Sequence, residues 1–152
     1  MHTTVRAPHG VWSPRARPRR DSRPVSAELV RRAREALPNA YAPYSQFRVG
    51  AAIEARDGRV FVGTNVESAS YGVTLCAERV AVGAAVAAGA RRFARLAVVT
   101  EGEPPAPPCG ACRQLLAEFG LDLEIIAASP LSERRWTLDA LLPDPFTRAS
   151  LI

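Results

Sequence analysis

The sequence predicts an α/β protein, a three-layer α/β/α sandwich around a mixed sheet. Helical segments with a stripe of apolar residues alternate with short apolar segments typical of strands, in the order α-β-β-α-β-α-β-α and without an internal repeat. Two of the strand segments are joined by Asp57-Gly58, a dipeptide that favours a primed hairpin turn. We therefore expect an antiparallel strand pair within the sheet and helices on both of its faces.

The elements follow from local signals. Ser26 is predicted to cap a first helix over residues 26–37, and Thr74 is predicted to cap a second helix that ends at Gly89. A proline-rich loop, 104–108, precedes a third helix that begins with two cysteines. The other predicted elements are strands 47–54, 60–67, 96–100 and 123–127, the third helix to Gly120, and a short helix over 137–142.

The positive charge of the chain is concentrated at its start. Residues 1–24 contain six arginines and one acidic residue, so the net charge of +5 lies entirely in this leader. Its four prolines and few apolar residues predict a disordered leader, with residues 25–152 forming one domain. The domain has no basic stripe, so nucleic acid is not an expected partner beyond weak, non-specific contact through the leader.

No segment suggests a membrane or a secretory route. The most apolar stretch, 79–90, is too short to span a bilayer, and the leader lacks the apolar region of a signal peptide. Its prolines would also break the amphipathic helix of a transit peptide. We expect a cytoplasmic protein without a membrane partner.

Three cysteines carry the strongest chemical signal. Cys76 precedes Glu78 by two residues, and Cys109 and Cys112 are three residues apart. Zinc takes four protein ligands in structural sites, whereas catalytic sites leave one position for water. The two histidines of the chain lie in the leader, so a fourth protein ligand is missing from the domain. The pattern predicts one zinc ion per chain with an open position.

Other roles for the cysteines fit less well. An odd number of cysteines without a secretory signal indicates a reducing compartment, which argues against a disulfide. A thioredoxin-like redox pair would not need Cys76, nor a carboxylate two residues after it. The combination of Cys-x-Glu with Pro-Cys-x-x-Cys matches instead the signature of zinc-dependent nucleobase deaminases in an all-cysteine form.

The residues beside the cysteines suggest how such a site would work. Glu78 is the candidate general acid/base, able to take a proton from zinc-bound water and pass it to the substrate. Three thiolates would leave a net negative charge on the centre, which Arg79 and Arg113 could offset. Gln114 completes the residues expected around the ligands. The alternative explanation of the two arginines is that they lie on a solvated helix face. The alternative explanation of Glu78 is an ordinary ion pair on the surface.

Three upstream residues are candidates for binding the substrate. Asn65 and Glu67 are separated by one residue on a predicted strand, so both side chains point to the same side and could bracket a diol or an amide. Phe47 could stack on a flat ring. Judged by spacing alone, Asn65 and Glu67 more often mark a solvated strand end, and Phe47 is more often a core residue.

Five motifs occur in order between residues 26 and 146. They are Ala-Tyr-Ala-Pro-Tyr-Ser at 40–45 with Phe-Arg-Val-Gly-Ala-Ala at 47–52, Asn-Val-Glu at 65–67, Ala-Ser-Tyr-Gly at 69–72, Cys-Ala-Glu-Arg at 76–79 and Pro-Cys-Gly-Ala-Cys-Arg-Gln at 108–114. Together they resemble the small homotetrameric, three-cysteine cytidine deaminases. The arginine-rich leader is not part of this pattern, and Ser68 stands where the family often has Asn, which puts one local hydrogen bond in doubt.

The resemblance implies roles for named residues. It implies that Cys76, Cys109 and Cys112 bind zinc and that Glu78 is the catalytic proton shuttle. The substrate contacts that it implies are Phe47 on the pyrimidine, Asn65 and Glu67 on the ribose, and Tyr71 and Phe146 reaching into the site of a neighbouring subunit. Ala77 is a further candidate for substrate binding.

The resemblance also implies a reaction. Cytidine and 2′-deoxycytidine would be deaminated to uridine and 2′-deoxyuridine, with release of ammonia, by a zinc-activated water in pyrimidine salvage. The alternatives are a deaminase of a related aminopyrimidine such as blasticidin S, a polynucleotide-editing cytosine deaminase, and a zinc-dependent nucleic-acid binder. Carboxylate Glu67 would repel a nearby phosphate, which argues against a nucleotide or a strand as substrate.

Overall fold

A computed structural model describes residues 24–151, which form a five-stranded sheet with helices on both faces. The predicted disordered leader therefore lies outside the described residues, apart from Pro24. The helices are α1 (Pro24–Ala36), α2 (Ala77–Ala87), α3 (Gly110–Ala117) and α4 (Leu138–Leu141). The strands are β1 (Val49–Ala55), β2 (Val60–Thr64), β3 (Phe93–Thr100), β4 (Glu124–Ala128) and β5 (Glu133–Thr137). Short 3-10 segments occupy Leu37–Asn39, Tyr71–Val73 and Arg148–Leu151.

The sheet is mixed, as predicted. Its strand order is β2-β1-β3-β4-β5, and only the central β3–β4 pair is parallel. A parallel pair needs a crossover connection, and α3 supplies it between β3 and β4. None of the helices in the described part of the chain is both long and apolar enough to cross a membrane.

Alternate residues of the central strands pack against helices on opposite faces. Ala52 of β1 belongs to the cluster that α1 covers, whereas Ala51 and Ile53 belong to the cluster that α2 covers. Because both faces are covered, β3 is an almost continuous apolar run rather than an alternating one. This confirms the three-layer α/β/α architecture.

Two glycines let the helices approach the sheet closely. A Cβ added at Gly50 would lie 2.1 Å from the main-chain oxygen of Ala33 in α1. One added at Gly63 would lie 2.4 Å from the oxygen of Ala77, the first residue of α2. Each distance is far shorter than a carbon–oxygen contact, so only glycine permits these two packings.

The hairpin turn differs from the prediction. Gly58 has a φ of 87°, but Asp57 is not in the left-handed region that a primed type I′ turn requires of both central residues. Gly58 N donates to Ala55 O (2.9 Å), and Ala55 N donates to Arg59 O (2.8 Å). The hairpin thus has a longer loop in which glycine takes only the left-handed position.

Both predicted helix caps are wrong. Ser26 lies inside α1, which begins at Pro24, and its hydroxyl accepts a hydrogen bond from Arg135 (2.9 Å). The N-cap of α2 is Cys76 rather than Thr74. Thr74 follows a 3-10 turn, and its hydroxyl accepts a hydrogen bond from Ser68 N (3.1 Å). Sequence alone favours Ser and Thr as caps, whereas tertiary contacts use these two hydroxyls elsewhere.

The prediction also missed β5 and made the second strand too long. The sequence of β5 is Glu-Arg-Arg-Trp-Thr. It lacks the alternation of apolar and polar residues that predicts a strand, because a buried position that is usually apolar is occupied by Arg135. Arg135 donates to Glu133 and Ser26, which satisfies its charge and its donors. β2 ends at Thr64, and the chain beyond it pairs only through Val66, in isolated bridges to Tyr41 and Leu75.

Candidate metal centre and active site

The three cysteine sulfurs converge at one point. The Sγ atoms of Cys76, Cys109 and Cys112 all lie within 4.8 Å of one another, and those of Cys76 and Cys109 are 3.9 Å apart. Zinc–sulfur bonds of about 2.3 Å in a tetrahedron place the sulfurs about 3.8 Å apart. Within the described residues, 24–151, no histidine, aspartate or glutamate joins the three thiols in this cluster. The donor set therefore fits a zinc ion with a position left open.

Two helix N-termini deliver the sulfurs, as the sequence predicts. Cys76 is the N-cap of α2 and Cys109 is the N-cap of α3, both with extended backbone and neither using its side chain as a cap. Their sulfurs are thus free to point at a common ion, and the positive end of the α2 dipole favours the thiolate form of Cys76. Cys112, one turn into α3, is fully buried beneath them.

Hydrogen bonds divide the charge among the thiols. The pKa of Cys76 is lowered to about 5, most strongly by the hydrogen bond with the Cys112 thiol and further by Arg79 and Cys109, against the opposing effect of burial. The same bond and burial raise the pKa of Cys112. Nη2 of Arg79 lies 3.6 Å from the Cys76 sulfur and also donates to Thr74 O (2.7 Å). Arg79 is therefore placed to offset the negative charge of a thiolate cluster.

Glu78 lies beside this cluster, almost completely buried. Its exposed fraction is 5%, and burial raises the pKa of its carboxyl group above the ordinary value. A raised pKa means that the carboxyl group holds a proton more readily than an ordinary glutamate, which suits a group that must both accept and donate one. Ala77, between Cys76 and Glu78, is fully buried in the first turn of α2.

A cleft of about 180 Å³ opens onto the centre. Phe47 and Asn65 line it together with Cys76, Glu78 and Cys109. Phe47 is half exposed, whereas Asn65 is buried and uses its amide on the main chain: Nδ2 donates to Phe47 O (2.8 Å) and Oδ1 accepts from Val49 N (2.9 Å). Sequence reasoning missed the remaining residues of the walls, of which four adjoin the cysteine motifs in sequence and three lie on β1 and β3. They are Thr74, Leu75, Ala106 and Pro107, and Val49, Val98 and Thr100.

Glu67 lies in an adjoining cleft of about 390 Å³, which shares Thr74 with the first. Its Oε2 accepts hydrogen bonds from the main-chain nitrogens of Tyr44 (2.9 Å) and Ser45 (3.1 Å), and its Oε1 accepts one from the Ser45 hydroxyl. The Ser45 bond, followed by the main-chain bonds, lowers the pKa of Glu67. The doubtful position, Ser68, accepts a hydrogen bond from Ser70 N (3.1 Å).

Tyr71 and Phe146, the two residues predicted to reach into a neighbouring subunit, have largely exposed side chains in the single chain. Tyr71 is 75% exposed and Phe146 is 59% exposed. The main chain of Phe146 is nevertheless held, because Gln114 Nε2 donates to Phe146 O (2.6 Å) and Phe146 N donates to Gln114 Oε1 (3.3 Å). Gln114 thus fixes the C-terminal segment that carries Phe146 rather than the metal ligands.

Arg113 is also directed at the main chain. It donates to Pro108 O (2.7 Å) and Leu141 O (3.0 Å), so it ties the loop before Cys109 to α4. Both of these bonds go to main-chain oxygens rather than to a cysteine sulfur, and the expectation that its guanidinium offsets the thiolate charge stays a prediction. Arg113, directly after Cys112, thus links α3 to both of these segments.

Comparison with known proteins agrees with this geometry. Residues 24–128 match the family model described as the cytidine and deoxycytidylate deaminase zinc-binding region. The chain is 44% identical over 121 residues to the cytidine deaminase of Halalkalibacterium halodurans, covering 78% of this chain and 92% of the relative. It is 29% identical over 129 residues to the blasticidin-S deaminase of Bacillus cereus, covering 80% and 91%.

A solved structure shares both fold and sequence. The crystal structure of cytidine deaminase from Burkholderia pseudomallei matches with a TM-score of 0.76 and 48% identity, covering 79% of this chain and 98% of that one. Its fold and the matched zinc-binding region extend over the strands and helices that carry the three sulfurs and Glu78. The chain therefore belongs to the cytidine and deoxycytidylate deaminase family.

Proposed function

We propose that this protein is a zinc-dependent cytidine deaminase, which converts cytidine and 2′-deoxycytidine to uridine and 2′-deoxyuridine. The observation that carries the proposal is the position of Glu78, buried beside three converging cysteine sulfurs at the inner end of a cleft. A structural zinc site would have no use for a buried carboxyl group at its edge, whereas a hydrolytic site needs one.

The residues divide the reaction between them. Cys76, Cys109 and Cys112 would hold one zinc ion, which supplies Lewis acidity for activating water. Glu78 takes one proton from the attacking water and passes it to N3 of the pyrimidine as the oxygen bonds to C4. It then takes the proton of the new C4 hydroxyl group and passes it to the amine, so that the C4–N bond breaks while the C4 carbonyl forms. Water and cytidine are consumed, and uridine and ammonia are released. Arg79 reduces the negative charge of the three thiolates, which would otherwise weaken that acidity.

The two clefts support a nucleoside as substrate. Phe47 is half exposed and lines the 180 Å³ cleft beside the cysteines, so its ring can stack on the pyrimidine. Asn65 keeps one N–H and one lone pair beyond its main-chain bonds, and Glu67 keeps a lone pair beyond its three hydrogen bonds. These are suited to ribose hydroxyls, and the carboxylate would repel a phosphate.

The assembly and the cellular role belong to the same proposal. Tyr71 and Phe146 project from the surface, which suits residues that complete the site of another subunit in a homotetramer. A cytoplasmic enzyme of pyrimidine salvage is the role that suits a nucleoside substrate. The lower identity to blasticidin-S deaminase, 29% against 44%, does not favour the related aminopyrimidine as substrate.

A substrate panel tests the proposal. The purified protein is incubated with cytidine, 2′-deoxycytidine, cytosine, cytidine monophosphate and blasticidin S while the loss of aminopyrimidine absorbance is followed. We expect rapid conversion of the two nucleosides and slow or no conversion of the other three. Preference for the monophosphate or for blasticidin S would overturn the assignment.

A further inference from the structure

The residues proposed to contact the base and the ribose belong to one hydrogen-bonded network, and Ser45 lies at its centre. The Ser45 hydroxyl donates to Oε1 of Glu67 and accepts a hydrogen bond from Phe47 N (3.0 Å). A hydroxyl has one proton, and here the carboxylate takes it, so a lone pair is left for the N–H of Phe47. One side chain thus touches both the carboxylate and the backbone of the stacking residue.

The network fixes Phe47 from both sides. Its N–H is held by Ser45 and its carbonyl by the Asn65 amide, which also binds Val49 N. Between Ser45 and Phe47, Gln46 has a φ of 57°, a left-handed conformation that costs a non-glycine residue free energy. Hydrogen bonds on either side of Gln46 are what hold the turn in that conformation.

The same turn fixes Glu67. The Tyr44 and Ser45 N–H groups converge on Oε2, while the Ser45 hydroxyl binds Oε1. The side chain of Glu67 is half-buried, so without these bonds its carboxylate would sample several rotamers. The loop therefore sets the direction in which the remaining lone pair of Glu67 points.

We propose that Ser45 is a positioning residue that couples the base-stacking ring of Phe47 to the ribose-binding carboxylate of Glu67. The proposal rests on the proposed function for the identity of the substrate. Neither the sulfur cluster nor Glu78 is bonded to this network, so Ser45 acts on substrate binding and not on the chemical step.

The test replaces Ser45 in the full chain loaded with zinc. Ser45→Ala is expected to raise KM for cytidine about tenfold, the usual effect of losing a hydrogen bond to a charged group, while kcat changes less than threefold and zinc content is unchanged. Ser45→Thr keeps the hydroxyl and should restore KM. Ser132→Ala is the matched control, because Ser132 makes the same kind of bond to Glu103 outside both clefts.

Two further measurements separate coupling from a general structural effect. Combining Ser45→Ala with Glu67→Gln should raise KM by less than the product of the single effects, since both remove the same bond. Amide hydrogen exchange at Phe47 should be faster in Ser45→Ala than in the parent protein, a readout that needs no substrate.

The outcomes distinguish this proposal from the proposed function. If the parent protein does not deaminate cytidine, the proposed function is wrong, although exchange at Phe47 still reports on the network. If the parent is active and Ser45→Ala has an unchanged KM and unchanged Phe47 exchange, the role of Ser45 is refuted while the proposed function stands. A kcat loss with normal KM, or no recovery in Ser45→Thr, would also refute it.

Discussion

At the scale of single residues, function depends on charged groups held where water is scarce. Glu78 is 5% exposed and lies beside Cys76, whose thiolate form is favoured, so burial and this neighbouring negative charge both work against ionisation of its carboxyl group. Burying such a carboxyl group lowers the stability of the fold, but the same burial suits the group to proton transfer. Its position two residues after a sulfur ligand is the simplest way for one helix N-terminus to supply both groups.

Glu78→Gln should abolish the proton transfer while preserving the shape of the side chain. We expect kcat for cytidine to fall by at least roughly 10²- to 10⁴-fold, the range for general acid/base catalysis, with zinc content and fold intact. Steady-state kinetics, circular dichroism and metal analysis measure the three quantities. Turnover within a few-fold of the parent would remove Glu78 from the mechanism.

Cys112→Ala should release the metal. Cys112 is fully buried and belongs to both the sulfur cluster and the packing beneath it, so two remaining thiolates would form an incomplete site. We expect about one zinc per chain in the parent and a large loss in the variant, measured by elemental analysis after dialysis. Full zinc and normal activity in Cys112→Ala would show that this thiol is not a ligand.

At the scale of elements, the sheet determines where the helix N-termini lie. α2 begins at Ala77, whose main-chain oxygen lies against Gly63 of β2. Cys76 and Glu78 flank Ala77, so the position of both depends on this contact. Close packing transmits a displacement instead of absorbing it, because the interior has few voids.

Gly63→Ala should therefore damage both stability and the site. The added Cβ would lie 2.4 Å from Ala77 O and 2.5 Å from Ala81 N, so α2 has to shift. We expect a loss of about 1–3 kcal/mol in the free energy of unfolding, measured in urea, with weaker zinc binding.

Gly102→Ala is the control, since nothing lies within 4 Å of the added atom. Parent-like stability and zinc affinity in Gly63→Ala would show that α2 is not seated on this glycine.

At the scale of the whole molecule, one chain leaves much of its candidate site open. Phe47, Tyr71 and Phe146 are all about half exposed or more, although large aromatic side chains usually gain stability from burial. A second subunit that covered them would bury this surface and exclude water from the cleft. The proposed homotetramer with shared sites accounts for all three.

Mixed tetramers test this assembly. Phe146→Ala should retain zinc and lose activity, since the ring loses a stacking contact worth about 0.5–1.5 kcal/mol beyond its buried area and the substrate is held less well. Co-assembly with Glu78→Gln chains should restore part of the activity, because some sites then combine an intact Glu78 with Phe146 of another subunit. Absence of recovery, or full activity in a monomer shown by sedimentation, would refute the shared site.

The sequence alone determined the chemistry and the order of the elements other than β5. Cys76, Glu78, Cys109 and Cys112 could be assigned to one centre because helix starts and ligand spacing are local properties, and zinc chemistry restricts the donors. The layers followed from apolar periodicity. β5 was missed because the contact that buries Arg135 against Ser26 joins two segments far apart in sequence.

The tertiary structure decided which partner each polar side chain takes. Arg113 and Gln114 follow directly after Cys112, yet they hold Leu141 and Phe146, about thirty residues away in sequence. Ser45 carries no signal of its own until folding brings Glu67 beside it. Side-chain hydrogen bonds between distant segments depend on the relative placement of whole elements, which packing fixes and local sequence does not.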